Sequence, residues 1–126
     1  MEKNVIETHL APKAIGPYSQ AIQSGHVIYT SGQIGIDPKT GELTGADVES
    51  QVRQAFSNLE AVAAQAGAAW ANAVKLTLFL TDLSHFAKVN AIMVELIPKP
   101  YPARSTVGVA SLPKGALFEV EAVFVL

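Results

Sequence analysis

The most regular feature of the chain is a row of apolar residues at helical spacing. From Val48, the residues Val52, Ala55, Phe56, Leu59, Val62, Ala63 and Ala66 recur at intervals of three and four, which lines one face of an α-helix. Asp47 can accept from the free amides of the first turn, and Gly67 stands where the helix has to stop. A second stripe, Phe86, Val89, Met93, Leu96 and Ile97, predicts another helix. Ser84 is its candidate cap, and Pro98 and Pro100 end it.

The remaining segments read as strands and turns. Asn4–His9 predicts a short strand, followed by a loop from Leu10 to Tyr18 that holds Pro12, Gly16 and Pro17. Gly25 marks a turn before the β-rich run Val27, Ile28, Tyr29, which ends at Gly32. Asp37–Gly41 is a surface turn with proline and glycine where turn geometry favours them. Ala73–Thr81 is almost wholly apolar in its second half and predicts a strand buried on both faces. Arg104–Ala110 predicts a further strand, then a Pro113–Gly115 turn, then an alternating run from Leu117 to Leu126. In that run Phe118, Val120, Ala122, Phe124 and Leu126 point one way, and Glu119, Glu121, Val123 and Val125 the other. The order is strands, helix, strand, helix, strand, strand. It predicts two crossovers in the centre and antiparallel hairpins at the ends, an α+β fold with both helices on one face of a mixed sheet. No linker, repeat or low-complexity tract interrupts residues 1–126, so they read as a single domain.

Composition sharpens this picture. The 126 residues are 49% hydrophobic and only 16% charged, against roughly 25% charged in typical soluble domains. The mean hydropathy of +0.27 is high for so short a chain and implies either an unusually well-filled core or, the favoured reading, apolar surface covered by another copy. A net charge of −2 provides no field for a phosphate backbone, which argues against nucleic acid as partner. No apolar run approaches the roughly 20 residues of a membrane span, and the N-terminus has no apolar signal core, so a cytoplasmic location is expected. The absence of cysteine excludes disulfides, thiolate catalysis and metal sites built on Cys.

Few residues can carry chemistry. The chain has two arginines, Arg53 and Arg104. Arg53 lies in the first helix and reads as a solvated helix residue. Arg104 opens a strand behind Tyr101-Pro102-Ala103, where its planar fork could grip a carboxylate, or instead pair with Glu119 or Glu121 of the same chain. Those two glutamates share one face of the last strand, which fits either acid–base chemistry or an exposed face. His9, His26 and His85 are far apart and lack metal-ligand spacing. Ser31-Gly32-Gln33-Ile34-Gly35 has too few glycines for a dinucleotide loop. Tyr18 could pack or line a pocket, and Asn90, beside an apolar stripe, requires a polar partner.

Five motifs then form a recognisable series. Ile15-Gly16-Pro17-Tyr18-Ser19-Gln20, Tyr29-Thr30-Ser31-Gly32-Gln33-Ile34, Phe86-Ala87-Lys88-Val89-Asn90, Pro102 to Val107, and Leu112-Pro113-Lys114-Gly115 through Glu119-Val120-Glu121-Ala122 resemble, in order and spacing, the Rid family of reactive-intermediate deaminases. The nearest type is the 2-iminobutanoate/2-iminopropanoate deaminases of the archetypal branch. The resemblance implies a chorismate-mutase-like fold of the bacillus type, assembled as a homotrimer with active sites between subunits. It implies hydrolysis of a 2-imino acid to a 2-oxo acid and ammonia, without metal or organic cofactor. The carboxylate-binding arginine falls on Arg104, the water-associated glutamate on Glu119 and the lining tyrosine on Tyr18. Ser31, Gly32 and Asn90 match cleft-lining positions. Thr106 stands where many members have cysteine, so only a backbone contribution carries over to it. The short 91–103 connection also departs from some relatives and bears on the cleft wall. Other branches of the family imply the alternatives: an RNA-directed endoribonuclease or translation inhibitor, or a non-catalytic, chaperone-like binder.

Overall fold

A computed structural model describes residues 2–126. The elements in chain order are β1 (Asn4–Ile6), β2 (Ala21–Ser24), β3 (Val27–Thr30), β4 (Gln33–Ile34), α1 (Val48–Gln65), β5 (Ala73–Leu80), α2 (Phe86–Leu96), β6 (Ala103–Gly108) and β7 (Phe118–Val125). They form one seven-stranded sheet in the order β1-β2-β3-β7-β5-β6, with β4 also paired to β7. All pairings are antiparallel except β5–β6. β4 and β5 flank β7, so α1 crosses over β7 between them, and α2 links the parallel neighbours β5 and β6. The mixed sheet, the two helices, both crossovers and the N-terminal hairpins agree with the sequence reading, but the expected C-terminal hairpin does not form: β7 inserts between β3 and β5 and leaves β6 paired to β5 alone. No helix among the described residues is long and apolar enough to cross a membrane.

α1 begins and ends where its sequence dictates. Asp47 has extended backbone, and its carboxylate accepts from Ser50 N at 2.9 Å and from Ser50 Oγ at 2.6 Å. Those bonds hold its carboxyl below the usual carboxylate range. At the other end Ala66 caps the helix and Gly67 follows with φ 82°. The predicted stripe is buried: Val52, Ala55, Leu59 and Val62 are all 0% exposed. Phe56 forms the pivot of an aromatic cluster, its ring centroid 5.7 Å from both Trp70 and Phe118. Trp70 in turn lies 5.8 Å from Phe124, so burial of α1 and of β7 is one packing event.

α2 starts two residues later than its candidate cap. Asp82, not Ser84, supplies the capping oxygen, accepting from Ser84 N at 2.9 Å and opening a short 3₁₀ turn over Leu83–His85. Two strands were not legible in the pattern. β2 is too short, and mixed in polarity, to show a period, and β4 is two residues long. β1 is shorter than expected, because the chain leaves the sheet after Ile6.

The sheet has one covered face and one open face. Leu76, Leu78 and Leu80 of β5, with Phe118, Val120, Ala122 and Phe124 of β7, face both helices in a single core. The expectation that β5 is buried on both faces is corrected. Its other row, Lys75, Thr77 and Phe79, is only partly covered, because both helices lie on the opposite side and leave that row bare. The same open face carries Glu119, Glu121 and Val123 opposite Phe79, Thr77 and Lys75. Tyr29 extends it and is 54% exposed.

Two polar side chains inside α1 fix the strands that border the open face. Asn58, fully buried, donates from Nδ2 to Ile34 O at 3.2 Å and Ile36 O at 2.9 Å. Gln51 accepts from Leu117 N at 2.8 Å and donates to Gly45 O at 2.8 Å. Gly35 lets this contact happen, since a Cβ there would lie 2.6 Å from the Gln51 Cα and O. Buried carbonyls without donors are costly. Asn58→Ala is therefore expected to cost about 2–3 kcal/mol and lower Tm by roughly 10 °C, measured by denaturant and thermal unfolding. Gln54→Ala, which removes the donor to Asn58 Oδ1 but leaves both bonds from Asn58 Nδ2 in place, is expected to cost less, about 1 kcal/mol.

Candidate active site

Between β3 and β4 the chain steps away from β7, and this break creates the first cleft. Ala122 N, deprived of a backbone partner there, donates to Thr30 Oγ1 at 2.9 Å. Ser31 N donates to Gln20 O at 2.9 Å, and Ser31 Oγ to Ser19 O at 2.6 Å. These bonds draw the 18–20 segment alongside Gly32. Gly32 then lies directly over Glu119, so close that a Cβ on it would come within 2.5 Å of Oε2. Any larger residue here would have to push the carboxylate aside.

The resulting cavity, about 450 Å³, is lined by Tyr18, Gly32, Ile34, Pro113, Lys114 and Glu119 among others. Its walls are mostly apolar, with Ala11, Pro12, Ile15 and Ile36 on one side. Gln20, 3% exposed, holds the 8–12 wall: it accepts from Thr8 N at 2.7 Å and donates to Thr8 O at 3.0 Å and Pro12 O at 2.8 Å. At the outer rim Lys114 Nζ donates to Gly41 O at 2.9 Å and ties the 113–115 turn to the 37–41 turn. Burial, and secondarily the neighbouring Glu121, pushes the Glu119 carboxyl above its ordinary value. Tyr18 lines this cavity and is 51% exposed, so it does not belong to the core of its own chain.

Arg104 lies in a second cleft, lined by Asn90, Met93, Val94, Tyr101 and Pro102. It pairs with Leu76 in register, so its side chain is on the helix side of the edge strand β6. Nη1 donates to Asn90 Oδ1 at 2.6 Å, which supplies the partner that Asn90 required. The intramolecular ion pair with Glu119 or Glu121 does not form. Arg53, by contrast, is not simply solvated. It donates to Glu49 at 3.2 Å and to both oxygens of Glu95 at 2.9 and 3.2 Å.

Within one chain the expected site residues therefore fall into two groups. Tyr18, Gly32 and Glu119 share one cavity; Asn90 and Arg104 share another, on the opposite face of the sheet and two strands away. Ser31 lines neither cavity and braces the loop behind Gly32. Thr106, on the helix side of β6, has a buried hydroxyl with no hydrogen-bond partner among the described residues. Sequence reasoning passed over His9, Lys13 and Lys114, which line the first cavity. Scattered along the loops, they share no spacing that could have linked them. The described residues contain no cluster of acidic or histidine side chains fit to hold a metal ion.

Comparison with known proteins gives a consistent picture. Residues 8–126 match the family model described as Endoribonuclease L-PSP. A 2-iminobutanoate/2-iminopropanoate deaminase of Dermatophagoides farinae is 44% identical, covering 98% of this chain and 97% of the relative. The crystal structure of RidA from an Antarctic Psychrobacter superposes with a TM-score of 0.95 at 43% identity, over 98% of this chain and 99% of that one. Escherichia coli TdcF, solved with bound serine, does so with a TM-score of 0.91 at 43% identity, over 98% and 99%. With a family match over nearly its whole length and relatives alike in sequence and fold, the chain belongs to the Endoribonuclease L-PSP family, the family of the Rid deaminases.

Proposed function

We propose that this protein is a reactive-intermediate deaminase that hydrolyses 2-imino acids such as 2-iminobutanoate and 2-iminopropanoate to 2-oxo acids and ammonia. The observation that carries the reading is the pairing of an arginine that no carboxylate neutralises with a carboxyl whose proton affinity is raised by burial in an apolar cavity. The relatives named for this reaction support it.

The two half-sites call for an assembly of copies. Arg104 and Glu119 project from opposite faces of one sheet, so a single chain cannot apply both to one small substrate. A homotrimer, in which the Arg104 cleft of one copy meets the Glu119 cavity of the next, completes the site. The uncovered face with Tyr29, Phe79 and Val123, and the exposed edge strand β6, are surfaces that a partner copy would protect. In this reading residues 1–126 act as one Rid-type domain.

The chemistry needs little machinery. The Arg104 fork holds the substrate carboxylate, helped by the Thr106 backbone, with Asn90 and Gly32 shaping the walls and Ser31 bracing the loop that carries Gly32. Tyr18 closes the pocket over the imine. Glu119 positions a water about 3 Å from the imine carbon and accepts its proton as the C–O bond forms. Glu119 passes that proton to the imine nitrogen, which gives the carbinolamine and restores the carboxylate. As the carbinolamine collapses, Glu119 takes the hydroxyl proton and hands it to the departing nitrogen, so the C–N bond breaks, the C=O bond forms and ammonia leaves. A carboxyl whose proton affinity is raised by burial is better matched to this exchange than an ordinary glutamate.

Three experiments test this reading. Arg104→Lys, which retains charge but loses the fork, is expected to lower kcat/KM by about 10- to 100-fold, measured with imines generated by an amino-acid oxidase and trapped with semicarbazide. Near-normal turnover would remove the assignment. For Glu119→Gln, activity is expected to fall by about 10²–10⁴-fold, while stability rises at neutral pH. The sign follows from linkage: a carboxyl with raised native pKa binds more protons folded than unfolded. Its contribution is therefore full below the ordinary glutamate range and is lost as pH climbs through the raised value. Melting curves should show the variant more stable at pH 7 and indistinguishable from wild type in acid. Finally, mixing inactive Arg104→Ala and Glu119→Ala proteins after subunit exchange should restore activity at about a quarter of the sites, as random assembly of shared sites requires. A monomer by sedimentation, or no regained activity, contradicts the shared site.

A further inference from the structure

Three side chains from one face of α2 converge on the Arg104 guanidinium. Phe86, Asn90 and Met93 stand at i, i+4 and i+7, the spacing that aligns side chains along a helix. The guanidinium carbon lies 5.0 Å from the centroid of the Phe86 ring. Asn90 Oδ1 accepts from Nη1 at 2.6 Å, and Met93 Sδ is 3.6 Å from the same nitrogen. Every one of these partners is uncharged. Arg53 shows the alternative in the same fold: two carboxylates grip it and neutralise it. Arg104 is held in place without a counter-charge.

The geometry divides the work among the three. The Phe86 ring face lies 5.0 Å from the guanidinium carbon and supports it without using any of its five N–H donors. The hydrogen bond from Nη1 to Asn90 Oδ1 then fixes the head group over that ring. Nη2 and Nε have no protein partner among the described residues, so a fork with its orientation already set remains for a carboxylate. We infer that Phe86 is a positioning residue, the floor of a neutral socket on α2 that orients Arg104 for bidentate capture of the substrate carboxylate. This rests on the reading of Arg104 as the carboxylate anchor.

The test compares two ligands that differ only at the group Arg104 grips, 2-oxobutanoate and its primary amide 2-oxobutanamide. Their dissociation constants are measured by calorimetry on the assembled wild type and on Arg104→Ala, Phe86→Leu and Phe86→Tyr. Phe86→Leu is expected to weaken the carboxylate by roughly 3- to 30-fold, the span of a cation–π contact, and to leave the amide unchanged. Phe86→Tyr should restore the wild-type ratio, and KM for the imine should rise more than kcat falls. Equal weakening of both ligands, an unchanged ratio in Phe86→Leu, or no recovery in Phe86→Tyr would each overturn the inference. Should Phe86→Leu fail to fold, pentafluorophenylalanine at position 86 keeps the shape and reverses the ring's electrostatics. Full carboxylate preference in that protein overturns the role. A ratio insensitive to Arg104→Ala removes the anchor itself and the inference with it, whereas a ratio that needs Arg104 but not Phe86 removes only the inference.

Discussion

The strict two-residue alternation of β7 is the constraint on which the rest of this structure depends. β3, β4 and β5 all pair to it, and both rows of its side chains are committed. Phe118, Val120, Ala122 and Phe124 supply the floor on which α1 packs. Glu119, Glu121 and Val123 are thereby forced to the open face. Because the period is two, a slip of one residue would exchange the rows and bury two carboxylates under the helices. Core formation and placement of the acidic residue are thus the same event. The buried polar groups of α1 reinforce it, since Gln51 holds the start of β7 and Asn58 holds β4 beside it.

This constraint also explains why the site residues separate. A strand in the middle of the sheet can aim Glu119 only away from the helices. The edge strand β6 aims Arg104 only toward them, where α2 receives it. The two groups of the proposed reaction belong to opposite faces for a reason of strand geometry. In that arrangement oligomerisation is a catalytic requirement of the proposed mechanism as well as a way to cover apolar surface.

Charge in this chain is scarce and differentiated. Arg53 joins α1 to α2 through Glu49 and Glu95 on the surface, a partly screened contact of modest value. Arg104 has no ion pair and keeps an uncompensated charge. Glu119 is raised because apolar walls and Glu121 surround it. The same residue types thus do structural work in one setting and are poised for chemistry in another, and what differs is the neighbour.

Patterns within a few residues were legible from sequence alone: α1 with its Asp47 cap, the alternation of β7, the turns at Asp37–Gly41 and Pro113–Gly115, and the motifs that mark the family. They depend on local backbone geometry and periodicity, which the sequence carries directly. Where partners are distant in the chain, sequence left the choice open. It could not say whether Arg104 pairs with Glu119, whether β5 is covered on both faces, or whether Ser31 faces the cleft. Those outcomes turn on which face of the sheet each strand presents and on what lies across it. Phe86 reads as one more core residue in a helical stripe; only the approach of β6 places a guanidinium on its ring. The sequence by itself determined the elements and the inventory of chemical groups. The tertiary structure decided which of those groups are neutralised, which are left free, and that the two needed for the proposed reaction point away from each other, because contacts between distant residues are set by sheet order and not by spacing along the chain.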